Sequence, residues 1–178
     1  MSINIEGLQV VLRAVEPEDV DVMYGWENDP QNWHISSTRR PFSRHMLSMF
    51  VEAQQGDLLQ GGEVRLMICR KDSGEVVGCM DLFDVDIYNH RAGVGVLIDH
   101  CYRRRGYAED ALRCVEEYVT RRLALRQLWC NVESGNEGSL ALFGKLGYVE
   151  IGVKRGWNWS SEGYLDEVMM QRIFVEEV

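Results

Sequence analysis

The chain has 178 residues, of which 46% are hydrophobic, and a formal net charge of −9. That length predicts one domain over residues 1–178, with a core large enough to need no metal or disulfide staple. The excess of 28 acidic over 19 basic residues argues against a nucleic-acid binder, which needs a basic footprint.

The five cysteines, Cys69, Cys79, Cys101, Cys114 and Cys130, are widely spaced. That spacing matches neither a zinc knuckle nor a secreted disulfide framework. Reduced thiols in a cytoplasmic protein are the expectation. The N-terminal residues carry no signal-peptide pattern. No apolar run approaches the roughly 20 residues that span a bilayer. No membrane partner is expected.

Leu8 to Arg13 alternates and predicts an opening strand. Glu16-Pro17-Glu18-Asp19 then starts a helix, because Pro suits the first helical position and acids suit the positive end. Val20, Met23 and Tyr24 give it one apolar face, and Asn28-Asp29-Pro30 ends it. Trp33 to Pro41 reads as a polar loop with two arginines, Arg39 and Arg40, and no acid. A helix follows Ser43, with Met46, Leu47 and Phe50 inward.

Val64 to Arg70 and Glu75 to Phe83 predict a hairpin around the turn Lys71-Asp72-Ser73-Gly74. Gly93 to Ile98 is apolar at nearly every position, as in a strand covered on both faces. An Arg/Gly turn, Arg103 to Gly106, leads into a long helix with Ala108, Ala111, Leu112, Val115 and Val119 on one face. Gln127 to Val132 is a further buried strand. Asn136 caps a short helix that stops at Gly147. Closing strands run from Tyr148 and from Tyr164. Trp157 and Trp159 alternate and so share a face, which serves as core, dimer contact or acceptor wall. The order is that of a mixed α/β fold with a central right-handed β-α-β crossover.

The chemistry concentrates where a buried strand meets the turn Arg103-Arg104-Arg105-Gly106 and a helix start. Amide groups at a helix N-terminus, together with its dipole, form an anion site. Gly106 lets a phosphate approach closely, and the three arginines could add contacts. An ordinary solvated turn is the alternative. Both the P-loop pattern and the dinucleotide fingerprint are missing.

Arg103-x-x-Gly106-x-Ala108 resembles the Gln/Arg-x-x-Gly-x-Gly/Ala signature of GCN5-related N-acetyltransferases. Asn131 to Tyr148 is similar to the second half of that family's pattern. Leu12-Arg13-Ala14, Glu18-Asp19, Tyr24 to Pro30 and His90-Arg91-Ala92 resemble the branch of ribosomal-protein N-terminal and spermidine acetyltransferases.

The resemblance implies a mixed, mostly antiparallel sheet whose central parallel strand pair splays around acetyl-CoA. The backbone of Leu97, Ile98 and Asp99 would then pair with the pantetheine arm. Arg103, Arg104, Arg105, Gly106, Tyr107 and Ala108 would hold the pyrophosphate. Asn136, Ser139, Phe143 and Lys145 would line the other side. Trp33, His34 and Asp81 would face the amine acceptor, a small molecule or a peptide. No metal is implied, and relatives often form homo-oligomers.

Two departures stand out. Many members carry Tyr at Phe143, whose hydroxyl protonates the leaving thiolate, and phenylalanine cannot donate. Ser139, water or departure as thiolate would substitute. Members of this branch often carry Glu at Gly93. The remaining candidates for the base are Asp81, Asp84, Asp86 and Glu133. The implied activity is acetyl transfer to a primary amine; the alternative is a non-catalytic acyl-CoA sensor.

Overall fold

The computed structural model describes residues 5–36, 40–54 and 62–174, with the backbone alone given for 34–36. Thirteen elements follow in order. They are β1 (Ile5–Glu6), β2 (Val10–Ala14), α1 (Val20–Glu27), α2 (Pro30–Ser36), α3 (Arg44–Ala53), β3 (Val64–Arg70), β4 (Val76–Asp86), β5 (Arg91–Ile98), α4 (Tyr107–Arg122), β6 (Gln127–Glu133), α5 (Glu137–Lys145), β7 (Val149–Ser160) and β8 (Gly163–Ile173). The strands form one sheet in the order β1-β2-β3-β4-β5-β6-β8-β7. Every neighbouring pair is antiparallel except β5 with β6.

Each face of the sheet has its own core. On one side Tyr107, Ala111, Leu112, Val115 and Val119 of α4 pack with Phe143 and Leu146 onto Ile68, Met80, Leu82, Val94 and Leu128. The other core joins Met23 and Trp26 of α1 and Leu47 and Val51 of α3 to Met67, Cys69 and Cys79. Met67 and Ile68, neighbours in β3, thus serve opposite cores, as the period of two demands.

The Asp110 carboxylate ties α4 to the sheet edge. It accepts from the N–H groups of Leu8, Gln9 and Val10 at 3.0, 2.6 and 3.0 Å. A carboxylate so hydrogen-bonded satisfies amides that burial would otherwise orphan.

The segment read as a loop from Trp33 to Pro41 differs: its first residues belong to α2. Asp29 Oδ1 accepts from the Gln31 amide at 2.9 Å, and Pro30 takes the first helical position. Asn28-Asp29-Pro30 therefore ends one helix and opens the next. Arg39 lies outside the described residues. Trp157 and Trp159 do share a face, but they are 61% and 75% exposed, which removes the core reading. Among the described residues no helix is long and apolar enough to cross a membrane.

Candidate active site

The parallel pair β5–β6 is joined only at its start, through Arg91↔Gln127, Ala92↔Leu128 and Gly93↔Trp129. Beyond that register the two strands diverge, and a cleft opens between Val94–Ile98 and Cys130–Glu133. Three connected cavities occupy it, all touching Val96.

The first, of about 430 Å³, lies between the end of β5 and the helix starts. It is lined by Leu97, Ile98, Arg103, Arg104, Gly106, Tyr107, Ala108, Asn136 and Ser139. Gly106 is the N-cap of α4 at φ 85°, and no side chain caps the helix. The first amides of a helix have no partner within it, so they and the dipole present positive charge to this cavity. Glycine is the residue that adopts such a φ at no steric cost. The two acids of the first turn face other partners: Asp110 holds β2, and Glu109 is engaged by Lys145 and Arg113 at 2.6 and 3.1 Å.

The middle cavity, about 440 Å³, contains Val94, Gly95, Cys130, Asn131, Glu133, Asn136, Ser139 and Phe143. Asn136 caps α5 by accepting from the Ser139 amide at 3.1 Å. Phe143 is buried and meets Tyr148 edge-on at 4.9 Å. Burial pushes the Cys130 thiol up to about 12, so it stays protonated and a poor nucleophile.

The third cavity, about 780 Å³, opens towards α1 and α3. Its walls include Trp26, Asn32, Phe42, Met46, Phe50 and Phe83, with Glu27, Glu63, Arg65 and Asp81 as charged groups. Arg65 donates to both oxygens of Asp81 at 2.7 and 2.8 Å and to Glu27 Oε1 at 2.8 Å. Burial opposes its charge, but the Asp81 and Glu27 carboxylates outweigh that and hold the guanidinium firmly protonated. Three carboxylates against one guanidinium leave the cavity acidic. Glu63 carries the surplus; desolvation, then Asp81, raises its carboxyl above the usual range.

Leu97, Ile98, Arg103, Arg104, Gly106, Tyr107, Ala108, Asn136, Ser139, Phe143, Glu133 and Asp81 thus come together along one cleft. The remaining expected site residues stand apart from it. Lys145 pairs with Glu109 instead. Arg105 folds back onto the Cys101 carbonyl at 3.1 Å. Asp99 directs its carboxylate to Trp26 Nε1 and the Cys101 amide, at 2.8 and 2.9 Å. Asp84 is exposed in a separate depression with Asp86, Arg91 and Gln127. Trp33 donates to the Glu27 carbonyl at 2.8 Å and lines none of the three cavities. The His34 side chain lies outside the described residues. Sequence reasoning missed Trp26, Glu27, Asn32, Glu63 and Arg65. Only α1, α2 and α3, folded over β3 and β4, bring them to one wall.

The acetyltransferase (GNAT) domain profile matches residues 9–149. The chain belongs to the GNAT acetyltransferase family. It is therefore an acyltransferase. It is 28% identical to an uncharacterised SPbeta prophage-derived N-acetyltransferase of Bacillus subtilis over 162 residues, 91% of this chain and 88% of that one. An uncharacterised N-acetyltransferase of Bacillus licheniformis is 26% identical over 95% of this chain and 94% of its own. A Vibrio cholerae spermidine N-acetyltransferase, solved with CoA and spermine, superposes with a TM-score of 0.83 at 18% identity, covering 93% of this chain and 95% of that one. A ribosomal L7/L12 alpha-N-protein acetyltransferase superposes at 0.81 and 19%, covering 98% and 96%. These likenesses establish the fold, an α/β sheet with one splayed parallel pair flanked by helices.

Proposed function

We propose that this GNAT protein, acting as one domain, moves the acetyl group of acetyl-CoA to a primary amine within a ternary complex. The observation that carries the reading is the divergence of β5 from β6 beyond Gly93↔Trp129. It opens a channel with a helix N-terminus at one end and an acidic cavity at the other.

The cofactor's pyrophosphate sits at Arg103–Ala108, on the amides that open α4. Leu97 and Ile98 offer backbone groups to the pantetheine arm, because β6 no longer pairs with that length of strand; the Asp99 amide and carbonyl are already engaged, by the Val77 carbonyl and the Tyr102 amide. Asn136, Ser139 and Phe143 form the opposite wall. The thioester then lies near Val96, which lines all three cavities.

The acceptor enters from the third cavity. Its surplus carboxylate and apolar walls suit a cationic amine with an apolar body, whether a small molecule or a peptide N-terminus. The neutral amine nitrogen attacks the thioester carbon, the C–S bond breaks, and the amine's proton passes to Glu133, an acid in the wall of the middle cavity. Ser139 stands where a hydroxyl can hydrogen-bond the departing sulfur, the task Phe143 cannot perform. Holding both reactants in one channel supplies much of the rate.

Purified protein incubated with acetyl-CoA and a panel of polyamines, peptides and aminoglycosides tests this reading. Saturable release of free CoA supports it. CoA binding with background turnover across the panel would favour a non-catalytic acyl-CoA sensor.

A further inference from the structure

A closed circuit of hydrogen bonds links the cofactor loop to the acceptor wall. Arg103 follows the turn Asp99–Tyr102, yet its side chain runs back across the fold. Its Nε donates to the Ile98 carbonyl at 3.0 Å, and its Nη2 donates to Asn32 Oδ1 at 3.2 Å. Asn32, on α2, donates through Nδ2 to the Trp26 carbonyl at 3.1 Å. Trp26 completes the loop by donating Nε1–H to Asp99 Oδ2 at 2.8 Å. Asp99 Oδ1 in turn accepts from the Cys101 amide at 2.9 Å, which shapes the turn leading to Arg103.

The circuit spans two of the cavities along the cleft. Arg103 and Ile98 line the cofactor end, whereas Trp26 and Asn32 line the acidic cavity. Trp26 and Asn32 are only 6% and 4% exposed. Their polar atoms lack ready access to water, so losing an internal partner is costly. Both ends of the Asn32 amide are held, by groups from different parts of the fold.

We propose that Arg103 and Asn32 are positioning residues that couple occupancy of the cofactor cleft to the placement of α2 at the acceptor wall. The inference rests on the cofactor reading above. A phosphate-bearing ligand at the α4 N-terminus favours one conformation of the Asp99–Gly106 turn. In that conformation Arg103 spans to Asn32, so the same ligand seats α2. The coupling is reciprocal: an amine that packs against Trp26 and Asn32 tightens the cofactor by the same factor. Arg103 therefore works on the acceptor side of the channel rather than chiefly as a phosphate clamp.

Hydrogen exchange read by mass spectrometry, with CoA as the probe, tests the coupling. In the wild type CoA slows exchange over residues 99–108 and also over 29–36, the second by about fivefold or more, at the lower end of allosteric couplings. Asn32→Ala keeps the slowing over 99–108 and loses it over 29–36. Asn32→Asp retains an oxygen for Arg103 but gives up the donor to the Trp26 carbonyl; it keeps the slowing over both segments even though it is destabilised, which separates the Arg103 link from a general loss of packing. The proposal is overturned if 29–36 responds equally in Asn32→Ala and the wild type. It also fails if 29–36 does not respond in a wild type whose 99–108 segment does. CoA that slows neither segment would instead remove the cofactor reading, and this inference with it.

Discussion

A Cβ atom added at Gly93 would stand 2.2 Å from Cε2 of Phe83. The Phe83 ring therefore occupies the space into which residue 93 would project, and it is held there by an edge-on contact with Trp129 at 5.2 Å. A carboxylate side chain at that position, which the resemblance implied, would collide with this ring. The aromatic pair stands at the last paired rung before β5 and β6 diverge. Gly93→Ala should destabilise the fold by about 1–3 kcal/mol through overpacking. Phe83→Leu combined with Gly93→Ala should recover part of that loss. Denaturant midpoints of the two singles and the double measure the coupling.

Arg65 carries the acidic cavity. Its side chain is 13% exposed between Glu27 and Asp81, at 16% and 24%. Arg65→Met strands two carboxylates with no partner in that space. A destabilisation of about 3 kcal/mol is expected, typical of a broken half-buried ion pair. Thermal melts check the magnitude, and Arg65→Lys should retain part of the stability, because it keeps the charge without the planar fork.

Asp99 sets a pH window. Burial alone would raise its carboxyl, but the Trp26 and Cys101 hydrogen bonds outweigh burial and hold it below the usual carboxylate value. A depressed folded pKa means stability that is present above the unfolded value and lost as pH falls through the folded one. The melting temperature should thus fall more steeply on acidification in the wild type than in Asp99→Asn, within the range below about pH 4 where aspartates titrate. Parallel slopes for the two proteins would show that the Trp26–Asp99 contact contributes nothing to acid sensitivity.

Ser139 tests the answer to the missing tyrosine hydroxyl. Ser139→Ala should lower kcat by about tenfold to a hundredfold, the lower range for removing one acid–base group. CoA affinity by calorimetry should change little. Phe143→Tyr in the same background should restore turnover if the new hydroxyl reaches the sulfur. An unchanged kcat in Ser139→Ala would assign thiolate departure to water.

Much of the layout is legible in the chain. The Arg103-x-x-Gly106-x-Ala108 turn reads from its signature spacing and from the glycine that lets a phosphate approach a helix start, and Asn136 reads as a cap because the next amides need an acceptor. Ser43 is found for the same reason, accepting from the Met46 amide. Helix α2 escapes because it is short and polar, although Asp29-Pro30 carries both a cap and a first-turn proline. The acceptor wall escapes for another reason. Glu27, Arg65 and Asp81 lie on three elements, and nothing local reports that they meet. Single residues mislead in the same way: Lys145 reads as a cofactor contact, but Glu109, 36 positions earlier, holds it.

The chain's excess of acids is unevenly distributed. The surplus of acids does not describe the cleft as a whole, since its α4 end, the proposed cofactor end, is a basic turn and a helix start without a side-chain cap. It does describe the acceptor end, where Glu27, Glu63 and Asp81 outnumber Arg65. Glu63→Gln should accordingly raise KM for a cationic amine while leaving the KM for acetyl-CoA within about twofold, since a half-screened charge contributes modestly.

Steady-state release of CoA from acetyl-CoA, followed with a thiol reagent across an amine panel, measures the proposed acetyl transfer itself. Saturable turnover with at least one primary amine, with the acetyl group recovered on its nitrogen, is the predicted result. Failure of acetyl-CoA to bind at all, by calorimetry on the folded protein, would contradict the account.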